Sequence, residues 1–364
     1  MVSVNVNQGG GAVLTRVDSN YMLSKLRSRV WMRPKSTLDK ATGEWVTKLV
    51  RYKLPAEVKS DYQAIAERLF PLDGVVSAPI LSEEMELTQI HSGYVHGRRL
   101  YLELSPVFRE QYKQLLVPKP TLSDAVRAMR MFIQTFHEFP LCEQMFCLIA
   151  AIFTAIFAPL MKNRPMILLQ ANMRGTGKST LADCISIIFS GLYQGNIIAW
   201  PSSKAEFDKV LDGELLRGSP LMIFDNAVGS IGTPKLDSVL TSHGNSVSIR
   251  PLGSTDIKPV PTHAIVIVTS NNASFAGDTN RRSLSVYLNT ELENPEYRDG
   301  FTIPNIRDYV FKHTPEMWRA AITVVRAYLL APQMSGLTNT FSRESRRTRN
   351  VFSCVSVCSC PAFR

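Results

Sequence analysis

Cysteine is scarce in this chain: six residues of 364, three of which, Cys354, Cys358 and Cys360, crowd the last stretch. No His or Cys pair stands upstream of that cluster at zinc-binding spacing, which argues against a metal held by sulfur. Cys142, Cys147 and Cys184 stand in apolar or helical surroundings and read as buried free thiols, the pattern of a reduced, cytoplasmic protein. Acid is short as well. Against 41 Lys and Arg stand 31 Asp and Glu, a formal net charge of +10. That balance suits a polyanionic partner, because Lys and Arg beside phosphates release counterions, and it equally suits a solvated basic surface. The polar, Gly-rich start lacks the pattern of a secretory leader. Charge is missing from one long stretch, Met145–Met161 (MFCLIAAIFTAIFAPLM). It is about long enough for a short membrane span. Pro159 near its end, and an apolar strand just beyond, favour a helix buried on all sides and no membrane.

What is present is the composition of a folded protein, 45% hydrophobic and 20% charged, long enough for two domains. Residues 1–60 are basic, with 11 Lys and Arg against 4 Asp and Glu. Lys25, Arg27, Arg29, Arg33 and Lys35 surround Trp31, an interleaving that can grip a nucleic-acid strand or form a solvated face around one core tryptophan. Pro55-Ala-Glu opens a helix through Phe70, and short apolar runs at Gly74–Ile80 and Arg99–Leu104 read as strands of a small α+β unit. Pro118-Lys-Pro punctuates the chain. Thr121-Leu-Ser-Asp then has the form of a capping box, starting a helix to about Glu138. From Met166 the text alternates strand and helix: Met166–Leu169, a helix after Lys178, a helix over Ser203–Leu216, Leu221–Phe224, and Ala264–Val268. Continuous apolar strands alternating with helices predict an α/β fold with a parallel sheet covered on both faces.

The run Leu168–Leu181 reads LLQANMRGTGKSTL. An apolar strand enters a Gly-rich turn and a helix opens at Lys178, the setting of a P-loop that binds ATP with Mg²⁺. Asn172, Arg174, Gly175, Thr176, Gly177, Lys178, Ser179 and Thr180 would cradle the phosphates. Gly175 and Gly177 let backbone N–H groups turn inward, and the helix N-terminus adds partial positive charge. Lys178 reaches the β- and γ-phosphates, and Ser179 offers its hydroxyl to Mg²⁺. The strict pattern has Gly where Asn172 stands, and Asn tolerates a left-handed backbone.

About 47 residues after Lys178, the strand Leu221–Phe224 ends in Asp225 and Asn226. Asp225 would hold the metal, as in a Walker B motif. Asn226 can orient an attacking water but cannot take its proton, which predicts slow hydrolysis or a base from elsewhere, Asp208 or Glu206 being weak candidates. The strand ending in Thr269-Ser-Asn-Asn places Asn271 or Asn272 where an amide can sense the γ-phosphate. Gly277-Asp-Thr-Asn-Arg-Arg follows, so Arg281 or Arg282, with Arg298 as a weaker third, could neutralise transition-state charge on a neighbour's ATP. Arg250 and Lys258, between Asp225 and the sensor strand, could face one strand of DNA in a ring's pore or lie on an ordinary hairpin.

In this order the motifs GTGKST, FDN, RPLG, TSNN, GDTNRR and NPEYR resemble the helicase-type ATPase domain of primase-helicases from phages, plasmids and integrated elements. These belong to superfamily 3 within the AAA+ ATPases. The resemblance covers about Thr121 to Pro332. It implies a P-loop AAA+-like sheet flanked by helices, with a smaller N-terminal α+β region. It further implies a homo-hexameric DNA helicase or translocase in replication of a phage, prophage or other mobile element, with a primase as partner or as a missing domain. No acidic primase signature or zinc segment supports priming itself. The expected domains are 1–118 (basic, α+β), 119–163 (helical linker), 164–335 (ATPase) and 336–364. That tail, rich in Ser, Arg and Cys without a helical or strand period, is expected to be poorly ordered and reads as a truncated or frameshifted end. Two other functions fit the residues: a nucleotide-dependent, DNA-associated switch with little hydrolysis, and a AAA+ remodeller of proteins.

Overall fold

The structure is a computed structural model. It describes residues 2–6, 12–16, 32–38, 40, 43, 45–51 and 72–331, apart from 73, 84, 90, 96–98, 116, 162, 194, 243–245, 252–254, 256 and 263. The expected helix from Pro55 to Phe70, the basic residues beside Trp31 at 25–29, and the tail with its three cysteines lie outside the described residues. Two compact units divide the chain, Met1–Asn5 with Leu14–Leu72, and Val6–Val13 with Asp73–Arg364.

Near the start of the chain are strands β1 (Val2–Val6) and β2 (Ala12–Arg16). In the first unit β3 (Met32–Leu38) pairs antiparallel with β4 (Trp45–Arg51), from Met32 opposite Arg51 to Leu38 opposite Trp45. Arg33 and Lys35 fall on β3.

The second unit opens with five short strands, β5 (Gly74–Val76), β6 (Ile80–Leu81), β7 (Leu87–Gln89), β8 (Gly93–Val95) and β9 (Leu100–Leu102). The strand β9 lies between β5, parallel to it, and β8, antiparallel. Helix α1 (Pro106–Gln111) follows, then α2 (Leu122–Phe136). The capping box at the start of α2 forms as the sequence predicts: Asp124 N–H donates to Thr121 Oγ1 at 3.2 Å and Thr121 N–H to Asp124 Oδ2 at 2.9 Å. These bonds hold the Asp124 carboxyl below the usual carboxylate range. The uncharged stretch becomes α3 (Met145–Phe157), whose residues Leu148 to Phe157 are all buried. Among the described residues no helix is long and apolar enough to cross a membrane.

The centre is a five-stranded parallel sheet of β10 (Met166–Ala171), β11 (Ile197–Ala199), β12 (Leu221–Ala227), β16 (Ile265–Asn271) and β18 (Ser283–Leu288), in the spatial order β11-β12-β16-β10-β18. Between them run β13 (Ser230–Ile231), β14 (Ser246–Ile249), β15 (Lys258–Pro261) and β17 (Ser274–Phe275). The helices are α4 (Lys178–Ser190), α5 (Lys204–Arg217), α6 (Pro234–Leu240), α7 (Ile306–Lys312) and α8 (Thr314–Leu330). Successive strand residues point to opposite faces. Ile167, Leu169 and Ile267 therefore join one core with α3, α4 and α8, while Met166, Leu168 and Val266 join another with α5 and α6. The fold class is α/β, a parallel sheet flanked by helices. Because β16 lies between β10 and β12, the carboxyl ends of all three strands, far apart in sequence, meet on one edge.

Of the thiols expected to be buried, Cys184 is, and burial pushes it up to about 12. Cys147 is only half-buried because it lies before the enclosed part of α3. The side chain of Cys142 lies outside the described residues.

Candidate functional site

The turn between β10 and α4 is shaped by two glycines. Gly175 has φ 73° and Gly177 φ 96°, left-handed values that side chains resist. Gly177 is the N-cap of α4, and no side chain caps that helix. Its first N–H groups are thus left for an anion. A Cβ at Gly177 would stand 2.8 Å from Phe139 Cε1, so packing demands glycine as firmly as the backbone does. Gly177→Ala is expected to cost about 1–3 kcal/mol from the strained backbone alone, read as a lower thermal midpoint. An unchanged midpoint would show that the turn relaxes freely.

Asn172, where the strict motif has Gly, does not use the left-handed tolerance expected of it. It is not among the described non-glycine residues with positive φ. Its amide instead stitches the turn to the chain after β18, donating from Nδ2 to Thr290 O at 2.7 Å and accepting Thr290 N–H at Oδ1 at 3.2 Å. The left-handed asparagines are Asn226 (φ 58°) and Asn272 (φ 55°).

Lys178 is buried, and its ammonium donates to Asn271 Oδ1 at 2.7 Å and, more weakly, to Met173 O at 3.4 Å. Burial holds its pKa below the usual lysine range; the Asp225 carboxylate opposes this shift and the Arg174 guanidinium adds to it. Ser179 Oγ donates to Asp225 Oδ1 at 2.9 Å, and Thr269 Oγ1 donates to the same oxygen at 2.7 Å. Asn226 N–H closes the cluster by donating to Thr269 Oγ1 at 2.8 Å. The register of β12 against β16 shifts between Phe224 and Ala227, which places Asp225 and Asn226 on an irregular, locally turned backbone. Of the two sensor candidates, the structure brings Asn271 to Lys178 and leaves Asn272 exposed. Asn226 is exposed beside Asp225. Arg174 is exposed on the turn, Thr176 is buried in it, and Thr180 Oγ1 accepts from Arg307 Nη2 at 3.3 Å.

Other candidate residues lie apart from this cluster. Arg281 and Arg282 sit on a 3₁₀ turn just before β18, whose Ser283 is level with Met166 at the amino end of β10. The glycine turn leaves from Ala171 at the other end, about 17 Å away at ~3.3 Å per residue. Arg281 donates from Nη2 to Asp278 Oδ1 at 2.5 Å and holds Asp278 below the usual carboxylate range. Arg298 is committed within its own chain, donating to Glu138 O at 2.7 Å. Asp208 accepts the Thr233 hydroxyl at 2.6 Å and Glu206 pairs with Lys209 at 3.1 Å, so neither weak base candidate is bonded to the Asp225 cluster. Arg250 and Lys258 flank the β14–β15 hairpin, with Ile249 opposite Lys258; both are exposed, and neither has an ion pair among the described residues.

Sequence reasoning missed Thr269, which orders Asp225 and Asn226 together, although it stands in the TSNN run. It also missed Phe139 and Arg307, for which no motif exists. Among the described residues no His, Cys, Asp and Glu cluster could hold a metal by itself.

No protein-family model matches the chain, and no curated protein does. Solved structures with a similar fold include the apo A form of the NrS-1 C-terminal region, at 12% identity and TM-score 0.36 over 84% of this chain and 71% of that one. The JCV helicase is similar at 13% identity and TM-score 0.24 over 62% of this chain and 65% of its own. The SCCmec type IV Cch active helicase is similar at 13% identity and TM-score 0.31 over 89% of this chain and 58% of its own. Likeness this distant leaves the site to be argued from its own geometry.

Proposed function

We propose that the chain is an ATP hydrolase that uses ATP with Mg²⁺ to unwind DNA or move along one of its strands, in the replication of a phage or integrated mobile element. The observation that carries this reading is the meeting of Lys178, Ser179, Asp225 and Asn271 at the carboxyl edge of the sheet. The residues fit the groups they would hold. An uncapped helix N-terminus with a buried lysine suits phosphates. A hydroxyl and a carboxylate 2.9 Å apart are hard oxygen donors of the kind Mg²⁺ takes alongside substrate phosphates. Mg²⁺ there would neutralise charge on the phosphates. Lys178 binds them, Asn271 orients Lys178, and Thr269 orients Asp225.

The ATPase module in this reading is 164–335, with 119–163 as its helical lead-in. Because Arg281 and Arg282 lie at the opposite end of the sheet from their own glycine turn, one of them serves a neighbour in a ring, taken as a homo-hexamer. Arg250 and Lys258 contact the DNA strand, and a primase acts as a separate partner. Asn226 supports one other reading, a DNA-associated switch that binds ATP but hydrolyses it slowly, since an amide cannot accept the proton of water. ATP turnover by the purified protein with and without single-stranded DNA separates these. Stimulation by DNA supports the motor, binding without turnover supports the switch, and turnover indifferent to DNA sinks the DNA motor. Asp225→Ala is expected to keep much of the nucleotide binding and lose Mg²⁺-dependent hydrolysis. Normal hydrolysis in that variant would remove Asp225 from the metal role.

A further inference from the structure

An acid stands against the glycine turn at Gly175. A Cβ at Gly175 would stand 2.6 Å from Glu296 Oε2 and 3.0 Å from both the Cβ and the backbone nitrogen of Glu296. This carboxylate therefore lies directly against the turn that the proposed function fills with phosphate. Glu296 is exposed and makes no hydrogen bond or ion pair among the described residues. Its position is not slack. Pro295 beside it is buried. Arg298 two residues on is tied to Glu138 O at 2.7 Å, and Thr302 N–H donates to Glu138 Oε1 at 2.8 Å. Before it, Thr290 is bonded twice to Asn172. The neighbouring Tyr297 is 78% exposed, a large aromatic left in solvent next to Glu296 in the chain.

An unpaired carboxylate beside an anion cradle is unfavourable toward phosphate, because like charges repel. It is also acceptor-only when ionised. The hydrogen-bond donors nearest the phosphates of a nucleotide are the ribose hydroxyls. We infer that Glu296 accepts hydrogen bonds from the ribose hydroxyls of the bound nucleotide, with Tyr297 flanking the nucleoside, so that the 290–303 segment selects ribonucleotides. The inference rests on the phosphate-site reading above and names the other half of that ligand.

The test is equilibrium binding of ATP, 2′,3′-dideoxy-ATP and inorganic tripolyphosphate to the full chain. The wild-type protein is expected to prefer ATP over the dideoxy analogue by about tenfold or more, the scale of hydrogen bonds to a charged group. Glu296→Ala should abolish that preference while tripolyphosphate, relieved of the carboxylate's repulsion, binds at least as tightly as to wild type, and Glu296→Gln, which keeps one acceptor oxygen, should restore part of the preference. Tighter binding of ATP, the dideoxy analogue and tripolyphosphate alike in Glu296→Ala, with the preference for ATP intact, would overturn the inference and make the carboxylate an electrostatic gate. A preference that survives Glu296→Ala overturns it as well. If wild type binds tripolyphosphate but shows no ribose preference, the subsite fails and the phosphate site stands. If wild type binds none of the three, both fail.

Discussion

Lys178→Ala is expected to lower ATP affinity by about tenfold to a hundredfold, the scale of a lost charge-assisted contact, and turnover by more. The ammonium is buried, its pKa is already held down by desolvation, and its one short bond is to Asn271 Oδ1 at 2.7 Å. A bound polyphosphate would give it a better partner than an amide. The loss in turnover exceeds the loss in binding because charge moves toward the leaving phosphate in the transition state. The fold should hold, since the Lys178 ammonium bonds to Asn271 and a backbone carbonyl and the residue belongs to neither apolar core. Affinity and turnover equal to wild type, measured by calorimetry and phosphate release, would refute the phosphate-site reading.

The second large effect separates two adjacent arginines. Arg281 is 77% exposed and, among the described residues, held only by Asp278, an exposed i,i+3 pair. Such pairs add little and are readily exchanged for a stronger anion. Arg282 is 29% exposed and lies between two carboxylates, 3.2 Å from Asp237 and 3.4 Å from Asp278, with Asp237 also accepting the Thr279 hydroxyl. In the proposed ring Arg281 is therefore the one that would reach a neighbour's ATP, while Arg282 braces α6 against the turn before β18. Arg281→Ala should lower turnover about a thousandfold or more, as loss of such an arginine does elsewhere, at an unchanged thermal midpoint. Arg282→Ala should chiefly lower the midpoint. Mixing Arg281→Ala with Lys178→Ala subunits should return part of the turnover, because some interfaces then pair an intact glycine turn with an intact arginine. Absence of recovery at concentrations where rings form would count against a shared site.

The parallel sheet was legible because β10, β12 and β16 are short, nearly unbroken apolar runs, and because Gly175, Gly177 and Lys178 stand at a spacing that local chemistry constrains. The capping box at Thr121 and the enclosure of α3 were legible for the same local reasons. Pairings across long sequence distances were not. The Asn172–Thr290 bonds, the Phe139 ring against Gly177 and the Glu296 carboxylate against Gly175 join segments more than 35 residues apart. No periodicity or motif encodes such meetings. The choice between Asn271 and Asn272 was hidden too, since it depends on which side chain leaves the strand on the lysine side.

The two hydroxyls on one oxygen of Asp225 have a kinetic meaning. Ser179 and Thr269 both donate to Oδ1, so that oxygen carries no bare lone-pair face for a cation arriving alone. In the proposed reading a metal taking that oxygen would have to displace the Ser179 hydroxyl, and a free aqueous ion would bring nothing to offset that bond or its own lost water. A metal already chelated by a triphosphate would, because Lys178 and the α4 N-terminus would hold the phosphates at the same time. Loading would then be ordered: metal and nucleotide would come in as one complex, and free metal in excess of nucleotide would fill the site poorly.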